Sequence, residues 1–398
     1  MLGTMRRFAG RSIRRLGLLP GGMADGLGED DALHDTILAT KAVVFFPDPP
    51  ENLYQLRQWL DAIEALDEAM GVTIIAQDSR SARALRDDTD IDVIVAAHTK
   101  TVGALLSTGA VRIVLYVGQA NANAVALRST AVVHVFLNHG DSDKYVSVSN
   151  QVKAYDVVIV AGQAAIDRHD AVMLFDGPAR LRVVGRPQLP AREPGEGDLT
   201  VLYCPTWEGT LAINAYSSVK GYGAELVSAL IADTGIHLIY RPHPRTGASD
   251  RTYREADLHI RSLIETQGRG EIDLEMNGAT SMQRAHVLIS DVSAVAADWL
   301  GQRKPLISTA PASSAARIAA PGRIFAMTPH IDASSAARAA RIVRETIEDP
   351  ATLGTIDDLY EYYLGGVDGP GALLRFLEVC EDSVATCDRE RARIGGTA

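Results

Sequence analysis

Two histidines stand where an apolar run of the sequence gives way to polar residues, and imidazole is well suited to acid–base chemistry at neutral pH. His139, which is followed by Gly140, comes after the apolar run 132–137. His243 lies between two prolines in Arg-Pro-His-Pro-Arg, after the run 238–240. Such a histidine can take a proton from an attacking hydroxyl group. Taken alone, His139 is more simply explained as an incidental residue of a turn.

Arg241 and Arg245 flank His243 at alternating positions of the same segment. The two prolines between them fix φ and favour an extended backbone, in which alternate side chains point to the same side. Two guanidinium groups and an imidazole on one face form a good anion site, because Arg can bind a phosphate with two hydrogen bonds. The segment is therefore predicted to bind a phosphate group, and a solvated basic loop is the alternative.

Hydroxyl groups follow two other apolar runs in the second half of the chain. Thr206 lies in Pro-Thr-Trp after the run 200–204, and Ser290, Asp291 and Ser293 lie in Ser-Asp-Val-Ser further along. Ser293 is predicted to cap a helix, whose first N–H groups and dipole favour a phosphate. Strand-end packing and ordinary helix capping are the structural alternatives for these residues.

Alternating strands and helices must position these segments. From residue 41 onward, short Val- and Ile-rich runs alternate with helix-like stretches, as in a parallel sheet buried on both faces. Residues 141–143 are predicted to cap a helix over Lys144–Gln151. The segment 187–198 is rich in Pro, Gly and charge and is predicted to be a linker. The strands predicted after it are Thr200–Cys204, His237–Tyr240, Ile272–Glu275, Val287–Ser290, Leu306–Ser308 and Ile324–Met327.

The chain is thus predicted to be an α/β protein with two Rossmann-like domains, whose parallel sheets face a central cleft. Ligands of such sheets bind outside the carboxyl ends of the strands, where the polar segments fall. The sequence contains neither a dinucleotide fingerprint nor a metal-ligand motif, so no cofactor is required, and a divalent cation is compatible but not indicated. The predicted divisions are a basic segment 1–22, domains 41–186 and 199–350, the linker 187–198 and a helical tail 351–398.

Composition and charge narrow the class of ligand. The 398 residues are 46% hydrophobic and 22% charged, as in globular proteins, and the net charge of −11 argues against a nucleic-acid partner. The three cysteines lack CxxC spacing and no apolar run is long enough to span a bilayer, so a cytoplasmic protein is expected. The first 16 residues carry five arginines and no acid. They fit either an amphipathic helix on an anionic membrane surface or a disordered leader.

The motifs occur in a definite order: His-Gly after a strand, Gly-Arg-Pro before the linker, Pro-Thr-Trp, a His-Pro element, and Ser-Asp-x-Ser. In this order and spacing, roughly residues 130–310 resemble the CDP-glycerol glycerophosphotransferase family, the teichoic-acid primases and polymerases. The resemblance implies a GT-B fold and peripheral association with the membrane. It also implies transfer of glycerol phosphate from CDP-glycerol to a growing lipid-linked acceptor, with release of CMP.

The resemblance implies roles for individual residues as well. His139, next to Gly140, corresponds to the general base, and His243 corresponds to a second histidine that binds or protonates phosphate. The expected substrate-binding positions are Gly140, Arg186 near the interdomain crossover, Thr206, Arg241, Arg245, Ser290, Asp291 and Ser293.

The sequence therefore predicts a CDP-glycerol glycerophosphotransferase-like enzyme. Its partners would be a CDP-activated polyol donor and a lipid-linked or glycan acceptor of the cell wall or capsule. Two alternatives stay open: a GT-B glycosyltransferase that uses a nucleotide sugar, and a non-catalytic nucleotide-binding protein of the same fold. We expect the protein in the cytoplasm, with the inner face of the cell membrane as the alternative location.

Overall fold

The computed structural model describes residues 27–138, 140, 142–144, 149–174, 178–194, 197–275, 278–320 and 322–395. The predicted general base His139 and the basic segment 1–22 lie outside the described residues. Two parallel sheets organise the rest of the chain, one on each side of the segment 184–199.

The first sheet is built from apolar runs that helices cover on both faces. All five residues of its first strand are buried, which explains why the run is continuously apolar rather than alternating. Its strands are β1 (Ala42–Phe46), β2 (Val72–Ala76), β3 (Asp92–Val95), β4 (Ile113–Tyr116), β5 (Val133–Phe136), β6 (Val157–Val160) and β7 (Leu181–Val183). They are parallel, in the order β3-β2-β1-β4-β5-β6-β7. The helices are α1 (Tyr54–Arg57), α2 (Leu60–Met70), α3 (Ser79–Asp88), α4 (Thr99–Ser107) and α5 (Gln163–Val172).

The second sheet repeats this plan with six parallel strands. They are β8 (Thr200–Cys204), β9 (His237–Tyr240), β10 (Glu271–Ile272), β11 (Val287–Ser290), β12 (Leu306–Thr309) and β13 (His330–Ile331). Their order is β10-β9-β8-β11-β12-β13. The helices are α6 (Ala224–Ala232), α7 (Arg251–Gln267), α8 (Ala279–Arg284), α9 (Ala294–Trp299), α10 (Arg323–Met327) and α11 (Ala339–Glu348). The predicted class, two Rossmann-like domains with parallel sheets, is confirmed.

The prediction of a strand at Ile324–Met327 is wrong, because these residues belong to the short helix α10. The first two N–H groups of that helix donate to the Tyr363 hydroxyl, at 2.8 and 3.2 Å, and this cap stabilises its first turn. A four-residue apolar run carries no periodicity that separates helix from strand. The sixth strand is instead β13, which pairs with β12.

The helix predicted over Lys144–Gln151 does not begin at Lys144. Lys144 forms an antiparallel bridge with Ile318 of the second domain, and the carbonyl of Asp143 accepts a hydrogen bond of 2.8 Å from the N–H of Ala319. The backbone here is therefore paired across the two domains rather than within a local helix. Residues 145–148 lie outside the described residues.

Two C-terminal helices join the domains. The helix α12 (Ala351–Leu364) buries Tyr363 in the core of the second domain. The helix α13 (Gly369–Gly395) crosses back to the first sheet, where Phe376 contacts Trp59 with ring centroids 5.5 Å apart. Within the described residues, no helix is both long enough and apolar enough to cross a membrane.

Candidate active site

Both sheets reverse their strand order at one point, between β1 and β4 in the first and between β8 and β11 in the second. Loops at the carboxyl ends of strands diverge beside such a point and leave a crevice for a ligand. In the second domain these loops are residues 205–208, 241–245 and 291–293, here named the second-sheet rim. In the first domain, residues 138–144 follow β5 and form the first-sheet rim. The described part of the first-sheet rim is 138, 140 and 142–144.

Asp291 holds the second-sheet rim together. Its buried carboxylate accepts hydrogen bonds from the backbone N–H of Thr206 (2.7 Å), the N–H of Ser218 (3.2 Å) and the hydroxyl of Thr309. Burial raises the pKa of Asp291 to about 6, because these hydrogen bonds only partly offset the loss of water around the carboxylate. The structure thus shows Asp291 linking its own turn to the segments that contain Thr206, Ser218 and Thr309, and its predicted contact with substrate stays a prediction.

Ser290 and Ser293 shape the turn that leads into α9. The Ser290 hydroxyl donates to the carbonyl of Cys204 at 2.8 Å and lies 3.0 Å from the Ser293 hydroxyl. The Ser293 Oγ accepts a hydrogen bond of 3.2 Å from the N–H of Ala296, so it caps the helix as the sequence predicts. Both hydroxyls therefore have structural partners, and phosphate binding at this turn stays a prediction.

His243 is held in one orientation on the second-sheet rim. The backbone N–H of Arg245 donates to its Nδ1 at 3.0 Å, so Nδ1 is unprotonated and a neutral His243 carries its proton on Nε2. Its ring lies near the rings of Trp207 and of Tyr54 from the first domain, each with ring centroids 6.3 Å away. His243, the histidine that is predicted to bind or protonate phosphate, therefore lies where the two domains meet.

The two arginines that flank His243 have different environments. The Arg245 guanidinium stacks on the Trp207 ring, 4.0 Å from its centroid. Arg241 instead forms an ion pair of 2.7 Å with Asp273 and donates to the carbonyl of Glu275 at 2.8 Å. The alternation of the sequence predicts that both arginines lie on one face with His243. In the structure, Arg245 is stacked on an aromatic ring, whereas Arg241 is paired with a carboxylate.

Glu208 is a site residue that sequence reasoning missed. Its buried carboxylate accepts hydrogen bonds from the N–H groups of Gly247 (2.9 Å), Ser249 (2.8 Å) and Asp250 (3.1 Å). Burial alone would raise the pKa of Glu208, but these hydrogen bonds outweigh it and hold that pKa below its ordinary value. Glu208 thereby fixes the loop that follows His243. The available signal was its position directly after Pro-Thr-Trp.

Lys144 is a second residue that sequence reasoning missed. It extends from the first-sheet rim, and its ammonium donates to the Thr206 hydroxyl at 2.7 Å. The same ammonium lies 5.8 Å from the centroid of the Tyr216 ring. Burial lowers the pKa of Lys144 to about 8, and nearby Asp291 only partly offsets this.

The two domains also approach each other at Gly140, where an added Cβ would lie 2.9 Å from the Cβ of Ala294. His139, beside Gly140, lies outside the described residues.

A buried cluster anchors the first-sheet rim. Asp143 forms an ion pair of 3.0 Å with Arg168 and accepts a hydrogen bond of 2.6 Å from the Tyr363 hydroxyl. Both charged side chains are almost fully buried, 3% and 2% exposed. Because Tyr363 belongs to α12 and also caps α10, the rim is attached to the second domain as well as to its own.

Arg186 lies at the crossover between the two sheets. Its guanidinium, 4% exposed as a side chain, forms two hydrogen bonds of 2.9 and 3.1 Å with the carboxylate of Asp298 on α9. This paired geometry gives Arg186 a clear structural role, and its predicted contact with substrate stays a prediction. In the described ranges, no three His, Cys, Asp or Glu side chains are grouped so that they could hold a metal ion.

No protein-family model matches the chain, and no curated protein matches it. Solved structures do share its fold. The wall teichoic acid polymerase TagF aligns with a TM-score of 0.57 at 13% identity, covering 97% of this chain and 95% of TagF. HepE of Anabaena, in complex with UDP-glucose, aligns with a TM-score of 0.55 at 13% identity, covering 86% of this chain and 100% of HepE. A Listeria monocytogenes protein described as a UDP-N-acetylglucosamine 2-epimerase aligns with a TM-score of 0.57 at 13% identity, covering 84% and 94%.

The class of fold is therefore GT-B, with two Rossmann-like domains around a cleft. Proteins described as a polymerase and as an epimerase share it at the same low identity, so the fold alone does not select between such activities. The function of this chain must therefore be argued from the residues on its own two rims.

Proposed function

We propose that this protein is a transferase that moves glycerol phosphate, or a related polyol phosphate, from a CDP-activated donor to a hydroxyl group of a cell-wall or capsule glycopolymer. The observation that carries the proposal is the meeting of the two rims. Gly140 of the first domain lies against Ala294, which directly follows the Ser-Asp-Val-Ser turn of the second. A proton acceptor from one domain and phosphate-binding groups from the other would then share one crevice.

The proposed reaction is a single displacement at phosphorus. The oxygen of the acceptor hydroxyl attacks the β-phosphorus, which carries the polyol, and the bond from that phosphorus to the bridging oxygen breaks. CMP leaves with the electron pair of that bond, and the hydroxyl proton passes to His139. Charge spreads over the equatorial oxygens in the transition state, so positioning and cationic stabilisation supply most of the rate enhancement.

His243 and Arg245 supply hydrogen-bond donors from the second-sheet rim in this proposal. Because Nδ1 of His243 accepts from the Arg245 N–H, a neutral imidazole donates to phosphate through Nε2. Arg245 lies on the Trp207 ring, which orients its guanidinium and leaves the N–H groups at the edge of that plane to donate to phosphate oxygens. Glu208 keeps the loop in place and acts as a positioning residue.

Nucleotide complexes of proteins with this fold support an activated donor. TagF was solved after soaking with CDPG, and HepE was solved with UDP-glucose. We infer a nucleotide-activated donor for this chain too, and the order of its motifs favours a CDP-polyol over a nucleotide sugar. In this proposal the enzyme works in the cytoplasm at the inner face of the membrane, where a lipid-linked acceptor is reached.

The test is to identify the nucleotide that is released. The full chain is incubated with CDP-glycerol, CDP-ribitol, UDP-sugars or GDP-sugars and a lipid-linked glycan acceptor, and the products are analysed by mass spectrometry. CMP release with a polyol phosphate added to the acceptor supports the proposal. UDP or GDP release identifies a glycosyltransferase instead, and nucleotide binding without turnover identifies a binding protein. His139→Ala must abolish CMP release, whereas His259→Ala, at an exposed position of α7, must not.

A further inference from the structure

The Lys144 side chain extends from the first domain and donates a hydrogen bond to Thr206 of the second. The residues around it are fixed on both sides: Asp143 is anchored by Arg168 and Tyr363, and the backbone of Lys144 is bridged to Ile318. The backbone from which the Lys144 side chain extends is therefore fixed at the crevice. A charge held so firmly at the crevice is a candidate ligand group rather than a solvated surface lysine.

The ammonium of Lys144 has more hydrogen-bonding capacity than its surroundings use. It carries three donors, and in the described part of the chain its acceptor is a single hydroxyl, that of Thr206 at 2.7 Å. The nearby carboxylate of Asp291 is already occupied by the N–H groups of Thr206 and Ser218 and by the hydroxyl of Thr309. Among the described residues, Lys144 makes no ion pair. An anion brought to the rim would supply the missing acceptors.

The hydrogen bond to Thr206 links Lys144 to the second-sheet rim, which supplies the phosphate-binding groups proposed above. Thr206, which holds the ammonium, is followed in the chain by Trp207, whose ring carries Arg245 and borders His243. We propose that Lys144 binds the diphosphate of the nucleotide donor from the first domain, opposite His243 and Arg245 of the second. This inference rests on the proposed function for its ligand class, and it makes donor binding a contact that spans both domains.

A matched pair of ligands separates this role from a structural one. CDP and cytidine differ only in the diphosphate, so their affinities for the full chain are measured by titration calorimetry with wild type, Lys144→Met, Lys144→Arg and Lys41→Met. Lys41 is an exposed lysine at the opposite end of the first sheet, before β1. We expect Lys144→Met to weaken CDP binding by about tenfold to hundredfold and to leave cytidine unchanged. Lys144→Arg should restore part of the loss, and Lys41→Met should change neither affinity.

Equal losses for CDP and cytidine would overturn the inference, because they would show that Lys144 only shapes the rim. Unchanged CDP binding would overturn it as well. If Lys144→Met does not fold, wild type alone still gives a test, since binding of an anion by an ammonium weakens as pH rises through the pKa of about 8. Asp291, the charged group beside Lys144 among the described residues, titrates lower, with a pKa of about 6. CDP affinity that stays constant from pH 7 to pH 9 would contradict the inference.

The experiment also keeps this inference apart from the proposed function. If the protein prefers UDP or GDP to CDP, the CDP-polyol assignment fails, and the Lys144 comparison is repeated with that diphosphate and its nucleoside. If no nucleoside diphosphate binds, both proposals fail together.

Discussion

Each rim of the crevice is organised by a buried aspartate, but the two aspartates draw on different parts of the chain. Asp291 of the second-sheet rim is held by Thr206, Ser218 and Thr309, all from its own domain. Asp143 of the first-sheet rim is held by Arg168 of its own domain and by Tyr363 of the C-terminal helix α12. The aspartate of the second-sheet rim is therefore held within its own domain, whereas the aspartate of the first-sheet rim is also held by a C-terminal helix.

The partners of the charged groups are compatible with the proposed anion site in an acidic chain. Among the described residues of the two rims, the acids are Asp291, Glu208 and Asp143, and each accepts hydrogen bonds or forms an ion pair within the protein. These three acids consequently stabilise the loops of the two rims. The cations Lys144 and Arg245 are held by a hydroxyl and by a ring face, neither of which neutralises their charge. The net charge of −11 describes the surface as a whole and does not describe the crevice.

The largest effect should come from Asp143→Ala, which removes one partner of the buried ion pair with Arg168. We expect the free energy of unfolding to fall by about 3–5 kcal/mol, measured by urea denaturation. A double-mutant cycle with Tyr363→Phe should show coupling above about 0.5 kcal/mol, because the hydroxyl donates to Asp143. The cycle of Asp291→Ala with Tyr363→Phe should be additive. Coupling of Tyr363 to Asp291 instead would show that the second-sheet rim also depends on α12.

His243→Ala should lower turnover by roughly a hundredfold or more, because it removes the oriented Nε2 donor from the second-sheet rim. The expected change is in kcat, with the free energy of unfolding close to that of wild type. Steady-state kinetics with the active donor provides the measurement, and His259→Ala on α7 is the matched control. Equal turnover for the two variants would remove His243 from the site.

Glu208→Gln should have a smaller effect, because the glutamine keeps one acceptor oxygen for the loop 247–250. We expect about a tenfold loss of kcat/KM, since one charge-assisted set of hydrogen bonds is weakened. Glu255→Gln, on the exposed face of α7, is the control. A positioning role requires that the pH profile of the remaining activity keeps its shape. A changed profile would mean that Glu208 itself takes part in proton transfer.

The smallest effect is a contrast in pH dependence between two acids of the second-sheet rim. The pKa of Asp291 is raised from 3.8 to about 6, so the folded state binds more protons between these values and Asp291 makes stability fall as pH rises from 4 to 6. The pKa of Glu208 is lowered from 4.5, so Glu208 contributes stability above that pH and loses it as pH falls. Asp291→Asn should therefore reduce the decrease in the free energy of unfolding between pH 4 and pH 6. Glu208→Gln should reduce the loss of the free energy of unfolding as pH falls below the ordinary pKa of a glutamate. Parallel curves for the two variants would contradict the opposite environments assigned to these acids.

Much of the fold could be predicted because buried parallel strands appear in the sequence as continuous apolar runs. The strands Thr200–Cys204, His237–Tyr240 and Val287–Ser290 were predicted with the bounds that the structure has. The run Ile324–Met327 was predicted wrongly, because a cap from Tyr363, about forty residues further along the chain, decides that it is helical. Local patterns cannot contain a contact made from so far away.

The site divides in the same way. The polar segments at strand ends, with His243 and Ser293 among them, were visible from sequence because their position follows from the alternation of strands and helices. Lys144 and Glu208 were not visible, because their significance comes from partners 62 and about 40 residues away along the chain. The ion pairs of Arg241 and Arg186 were missed for the same reason.

The most direct test of the central claim is to follow the phosphorus atoms of the donor. Wild-type protein is mixed with CDP-glycerol and a lipid-linked acceptor, and the reaction is monitored by phosphorus NMR. We expect the diphosphate signals to be replaced by equal amounts of a nucleoside monophosphate and a phosphodiester on the acceptor. A nucleoside diphosphate among the products, or free glycerol phosphate with an unchanged acceptor, would contradict transfer of a polyol phosphate.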